Sequence, residues 1–142
     1  MVSRGLHLAP GIAHALLAHA RAELPNEACG ILAGSLADLR ATAFHPARNA
    51  DASPLVYTVH ADDLVRIVFE IEDAGQDLVG IFHSHTHSPA VPSPTDRRSA
   101  QYPDAYHVLA SLSDAQAGPT QALRAWRIRD GEAREAPLTI GP

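Results

Sequence analysis

Three observations predict an α/β layered domain. Helix-period and strand-period segments alternate along the chain. One run, Leu78 to Phe82, is apolar without interruption, as a strand covered on both faces must be. No internal repeat or low-complexity linker divides the 142 residues, so residues 1–142 read as one domain. A hydrophobic fraction of 46% is enough for a packed core. Aromatics are only 5%, so that core is built mainly from Ala, Leu, Val and Ile.

The elements follow in order. Leu6 and Leu8 begin a short strand. Pro10 opens a helix to about Glu23, whose apolar face is Ile12, Leu16, Leu17, Ala20 and Leu24. Its histidines, with Arg21 and Glu23, make it an amphipathic helix and not the apolar segment of a signal peptide. Cys29 to Ala33 is a buried strand ended by Gly34. Ala41 to His45 and Leu55 to Val59 are expected strands, with a turn at Asp51-Ala-Ser-Pro54. Asp62 or Asp63 caps a second helix, with Leu64, Val65, Val68, Phe69 and Ile71 on its apolar face and Gly75 at its end. The strand from Leu78 runs into His83-Ser84-His85, then a Pro-rich loop from Pro89 to Pro94. A short helix spans about Pro94 to Gln101. Strands at Tyr106 to Ser111 and Leu123 to Arg129 complete the chain, with a turn at Asp130-Gly131.

Charge and cysteine count exclude some functions. A net charge of −5 argues against binding nucleic acid, which needs a basic surface. All 11 basic residues are arginine, so the chain itself offers no lysine for an isopeptide tag. No apolar run is long enough to span a membrane. The lone Cys29 makes no internal disulfide, which suits a reducing cytoplasm. The sequence is compatible with a homodimer and does not set the oligomeric state.

The chemistry lies in His83-Ser84-His85 and Ser93-Pro94-Thr95-Asp96. Alternate residues on a strand share a face, so His83 and His85 project together, as two ligands of one metal must. Ser93 suits a helix N-cap and Pro94 the first helical position, which places Asp96 in the first turn. Two imidazoles and a carboxylate match a zinc site with its fourth position open to water. With 9 histidines, a His-x-His pair arises by chance about half the time. Requiring Asp eleven residues later and Ser three residues before it reduces the coincidence to roughly a few in a thousand. The rival pair His85 and His87 puts Arg98 at the carboxylate position, so His87 reads as a solvated loop residue.

This arrangement resembles the complete signature of the JAMM (MPN+) zinc metallopeptidases. Glu27-Ala-Cys-Gly-Ile-Leu-Ala-Gly34 resembles the glutamate segment of that family, and Asn49-Ala50, Ser53-Pro54 and Tyr57 extend the likeness. The likeness is strongest to the bacterial CysO-cysteine peptidase type. It implies a mixed, curved sheet flanked by helices, as in the cytidine deaminase-like fold. It implies one Zn2+ per chain on His83, His85 and Asp96. The implied partner is a ubiquitin-like sulfur-carrier protein with a C-terminal Gly-Gly, and the reaction is hydrolysis after it with release of cysteine.

Composition does not choose a proton carrier among Glu23, Glu27, Glu70, Glu72, Glu132 and Glu135; the resemblance selects Glu27. It also gives Ser93 an oxyanion-donor role beside its capping role. Cys29 reads as core packing and Trp126 as packing within a strand. Arg97 and Arg98 form a solvated face within reach of a substrate carboxylate. Three other functions compete: a non-catalytic MPN-type binding module, an isopeptidase that removes a ubiquitin-like protein from other targets, and a non-haem iron oxygenase. Inactive relatives replace the His or Asp positions, which are present here. The oxygenase alternative lacks the third histidine and glutamate spacing of cupin sites.

Overall fold

A computed structural model describes residues 4–141. Twelve elements are ordered β1 (Leu6–Leu8), α1 (Ile12–Ala22), β2 (Cys29–Ser35), β3 (Arg40–Ala47), α2 (Ala61–Asp73), β4 (Asp77–His85), α3 (Pro94–Ser99), β5 (Tyr106–Ser111), α4 (Pro119–Ala122), β6 (Leu123–Arg129), β7 (Glu132–Ala136) and β8 (Leu138–Ile140). The strands form one mixed sheet in the order β7-β6-β5-β4-β2-β3-β1-β8. β4 pairs parallel with β5 and antiparallel with β2. Register shifts at Leu32/Ala33 and Ala33/Gly34 bend β2 at the middle of the sheet.

Side-chain alternation along β4 divides the core. Phe82 faces α1, joining Leu16, Leu17, Ala20, Leu32 and Val108. Ile81 faces α2, with Cys29, Ile31, Ile67 and Ile71. Both faces are thus covered, as the uninterrupted apolar run of β4 requires. The histidines continue this alternation beyond Ile81, so the rigid central strand delivers both to the α2 side. A third cluster, Ala90, Leu109 and Trp126, lies under the loop before α3.

Several expectations change. Leu55 to Val59 is not a strand: only an isolated bridge joins Val59 to Asn49, and Leu55 is 79% exposed. The Asn49 side chain bonds the Val56 carbonyl and the Thr58 N–H, and Ser53 and Ala50 take up the Leu55 N–H and the Thr58 carbonyl, so these groups need no strand neighbour. α2 is capped by His60, whose ring accepts from the Asp62 N–H, and not by Asp62 or Asp63. The face of α2 is also rotated. Asp63, Ile67 and Ile71 are buried while Val65 and Phe69 are exposed. Asp63 turns inward because it chelates Arg48 through the backbone N–H (2.8 Å) and guanidinium (3.0 and 2.9 Å). Helix α1 starts after Gly11, at φ 86°, a conformation that favours glycine, and leaves Leu24 outside. The short α4, β7 and β8 carried no apolar pattern strong enough to predict.

Candidate metal centre

His83 Nε2, His85 Nε2 and Asp96 Oδ2 form a nearly equilateral triangle, with sides of 3.2, 3.1 and 3.1 Å. β4 supplies the two rings, and α3 brings back the carboxylate. Ser93 caps α3 by accepting the Asp96 N–H at 3.0 Å, and its own N–H donates to Asp96 Oδ2 at 2.9 Å. The capping box therefore aims the carboxylate. The Ser93 hydroxyl accepts in that box, which leaves its proton free to donate elsewhere. His85 Nδ1 donates to the Pro89 carbonyl at 2.8 Å, which orients Nε2 toward the triangle. Tyr57 stacks on His83 at 4.3 Å between ring centroids.

The donor set fits zinc. Metal–ligand distances of about 2.0–2.1 Å give a tetrahedron with edges of about 3.3–3.4 Å, close to the triangle seen here. These three residues are a candidate metal site among the described residues. Burial opposes ionisation of Asp96, yet hydrogen bonds from both histidines hold its carboxyl well below the usual range. Burial drives His83 down. Burial also opposes protonation of His85, but the bonds to Asp96 and Pro89 outweigh it and raise the ring.

Glu27 lies between α1 and β2 and is 4% exposed. Burial lifts its carboxyl to about 7; His85 pulls it down and Asp96 pushes it up. Those influences place the carboxyl in the field of the triangle. Its Oε1 has no hydrogen-bond partner among the described residues. The backbone around it is firmly held. Its N–H donates to Ser53, its carbonyl accepts from Asn49, and Ala28 exchanges two bonds with Ser84.

The structure thus brings together all five predicted site residues: His83, His85, Asp96, Glu27 and Ser93. His87 is exposed, outside the triangle. Cys29 is buried in the α2-side core, and burial pushes its thiol up to about 12, which disfavours a thiolate nucleophile. Trp126 packs as expected, and its Nε1–H donates to Ala90 at 2.9 Å, anchoring the loop before Ser93. Arg97 is half-buried, and the exposed Arg98 donates to Thr95 Oγ1 at 3.3 Å. The sequence alone assigns no role to Asn49, Ser84, Tyr57 or His107. The polar Asn49, two residues before the turn at Asp51-Ala-Ser-Pro54, is the available signal. Beside the triangle a cleft of about 370 Å³ is lined by Tyr57, Val59, Leu64, Asp96, Tyr102 and His107.

The family described as prokaryotic homologs of the JAB domain matches residues 10–129. The CysO-cysteine peptidase of Mycobacterium tuberculosis is 39% identical over 129 residues, 91% of this chain and 86% of that protein. A desampylase of Haloferax volcanii is 40% identical over 116 residues, 78% of this chain and 84% of that one. Among solved structures, a JAB1/MPN domain protein of Archaeoglobus fulgidus has a TM-score of 0.59 at 17% identity, covering 96% of this chain and 97% of that one, and so shares the fold. With the family match spanning residues 10–129 and a relative 39% identical over 91% of its length, the chain belongs to the prokaryotic JAB (JAMM) family of metallopeptidases.

Proposed function

We propose that this protein is a zinc peptidase that hydrolyses the bond after the C-terminal Gly-Gly of a ubiquitin-like sulfur-carrier protein, releasing cysteine. The observation that carries this reading is the ligand triangle with a buried carboxylate beside it, in a chain akin to a CysO-cysteine peptidase over 91% of its length. His83, His85 and Asp96 would hold the zinc, which supplies an acidified water and a polarised carbonyl. Glu27 takes the proton from the attacking water and hands it to the leaving amine. A carboxyl lifted to about 7 suits both transfers near neutral pH. Ser93 donates its hydroxyl proton to the developing oxyanion. The cleft beside Asp96 receives an extended tail, and glycines allow its backbone to approach closely. Release of cysteine from a carrier would place the reaction in cysteine biosynthesis, in the cytoplasm where a lone thiol stays reduced.

Mass spectrometry tests this directly. A ubiquitin-like carrier ending in Gly-Gly-Cys should lose one residue, and the Ala-Ala-Cys form should be cut much more slowly. Glu27→Gln should keep its zinc and lose ~10²–10⁴-fold in rate. Equal cutting of both tails would end the carrier reading; a Glu27→Gln protein of normal rate would end the base assignment. The likeness to a desampylase favours a second reading, cleavage of isopeptide bonds. A carrier joined to a lysine side chain distinguishes the two.

A further inference from the structure

Glu27 and the loop of residues 48–60 share one polar hub, Asn49. Its Nδ2 donates to the carbonyls of Glu27 (3.1 Å) and Val56 (3.0 Å). Its Oδ1 accepts from the N–H groups of Asp51 (3.0 Å) and Thr58 (3.1 Å). Two donor hydrogens and two lone pairs are the full capacity of an amide side chain, and all are used. The N–H of Glu27 also goes to this loop, donating to Ser53 at 2.8 Å. Both backbone polar groups of Glu27 are therefore held by residues 49–53. The same loop carries Tyr57, which stacks on His83.

The carboxyl end of Glu27 has little to hold it, since its buried Oε1 lacks a partner among the described residues. Its place beside the triangle is set from the backbone end. We propose that Asn49 is a positioning residue for the reaction. It fixes the Glu27 backbone beside the triangle through the same amide that shapes the loop bearing Tyr57. This rests on the reading of Glu27 as the proton carrier. A misplacement on the order of 1 Å costs about 10²-fold in rate, so a hub of this kind acts on turnover. A residue that merely shaped the cleft would act on substrate binding.

Asn49→Asp separates the two roles. The substitution keeps size and both acceptor bonds but loses both donors, leaving an oxygen against the Glu27 and Val56 carbonyls. With a carrier ending in Gly-Gly-Cys as substrate, kcat should fall ~10- to 100-fold while KM stays within about threefold. Zinc content should remain one per chain. Asp51→Ala is the control: it removes the 2.6 Å bond from Thr58 Oγ1, loosening only the outer loop, and kcat should hold. A crystal structure of zinc-loaded Asn49→Asp reads the same point without substrate. The Glu27 carboxyl should be displaced with the triangle unchanged. Asn49→Ala provides the kinetic comparison if the aspartate disturbs folding. A raised KM with normal kcat, an equal kcat loss in Asp51→Ala, or an unmoved Glu27 would overturn the proposal. If Glu27→Gln is inactive while Asn49→Asp turns over normally, only this inference fails; an active Glu27→Gln removes its premise.

Discussion

The two loops that flank the triangle are held by different means. The loop of residues 86–93 is anchored by packing and rigid backbone. Ala90 is buried against Leu109 and Trp126, and prolines stand at 89 and 92. Polar bonds from His85 and Ser111 finish it, to Pro89 and Ser88. The loop of residues 48–60 has exposed Leu55 at its tip and is organised from within by Asn49. Its first residue, Arg48, is tied to Asp63 of α2. The first loop presents Ser93 and leads into Asp96; the second holds the backbone of Glu27 and presents Tyr57. The geometry of the triangle thus depends on an apolar anchor and a helix cap, whereas the placement of Glu27 depends on a polar network. The two sides should break separately.

The largest effect should come from the ligand side. Asp96→Ala removes one vertex of the triangle and one half of the capping box. Zinc content should drop from about one per chain to near zero, and turnover with it. Metal analysis after dialysis checks this, and full occupancy in Asp96→Ala or His83→Ala would refute the ligand set.

Ser93→Ala comes next. The triangle keeps all three vertices, so zinc should stay. Turnover should fall ~10²-fold, the scale of one lost oxyanion donor. Thermal stability should fall by about 1 kcal/mol for the lost cap. A lower melting temperature with unchanged kcat would reduce Ser93 to a capping residue.

The smallest effect belongs to the polar loop. Hydrogen bonds from the Arg48 side chain and backbone depress the Asp63 carboxyl below its ordinary value, against some desolvation. A depressed carboxyl contributes stability above its unfolded value of about 3.9, and the contribution is lost as pH falls through the folded value. The melting-temperature gap between wild type and Asp63→Asn should therefore be widest near neutrality, begin to narrow below about pH 4 and go on narrowing as pH falls toward the folded value. A gap that ignores pH would mean that the Arg48–Asp63 pair contributes nothing through its charge.

The sequence by itself determined much of this protein. Strand alternation placed His83 and His85 on one face, and the Ser-Pro-x-Asp start of α3 fixed where Asp96 could point. Both are local rules, set within a few residues by backbone geometry. The resemblance, not the local pattern, singled out Glu27. The tertiary structure alone decided which loop would hold it. Leu55 to Val59 looked like a strand because apolar and β-branched residues cluster there. It became a loop because residues 49–53, Asn49 foremost, took up backbone groups a neighbouring strand would have used. The α2 face turned for a similar reason: Asp63 gained two-point contact with Arg48, and Val65 and Phe69 rotated outward. Such choices depend on partners far along the chain, Glu27 with Asn49 and Arg48 with Asp63. Local propensity carries no record of them, because the energy that decides them exists only once those distant groups have met.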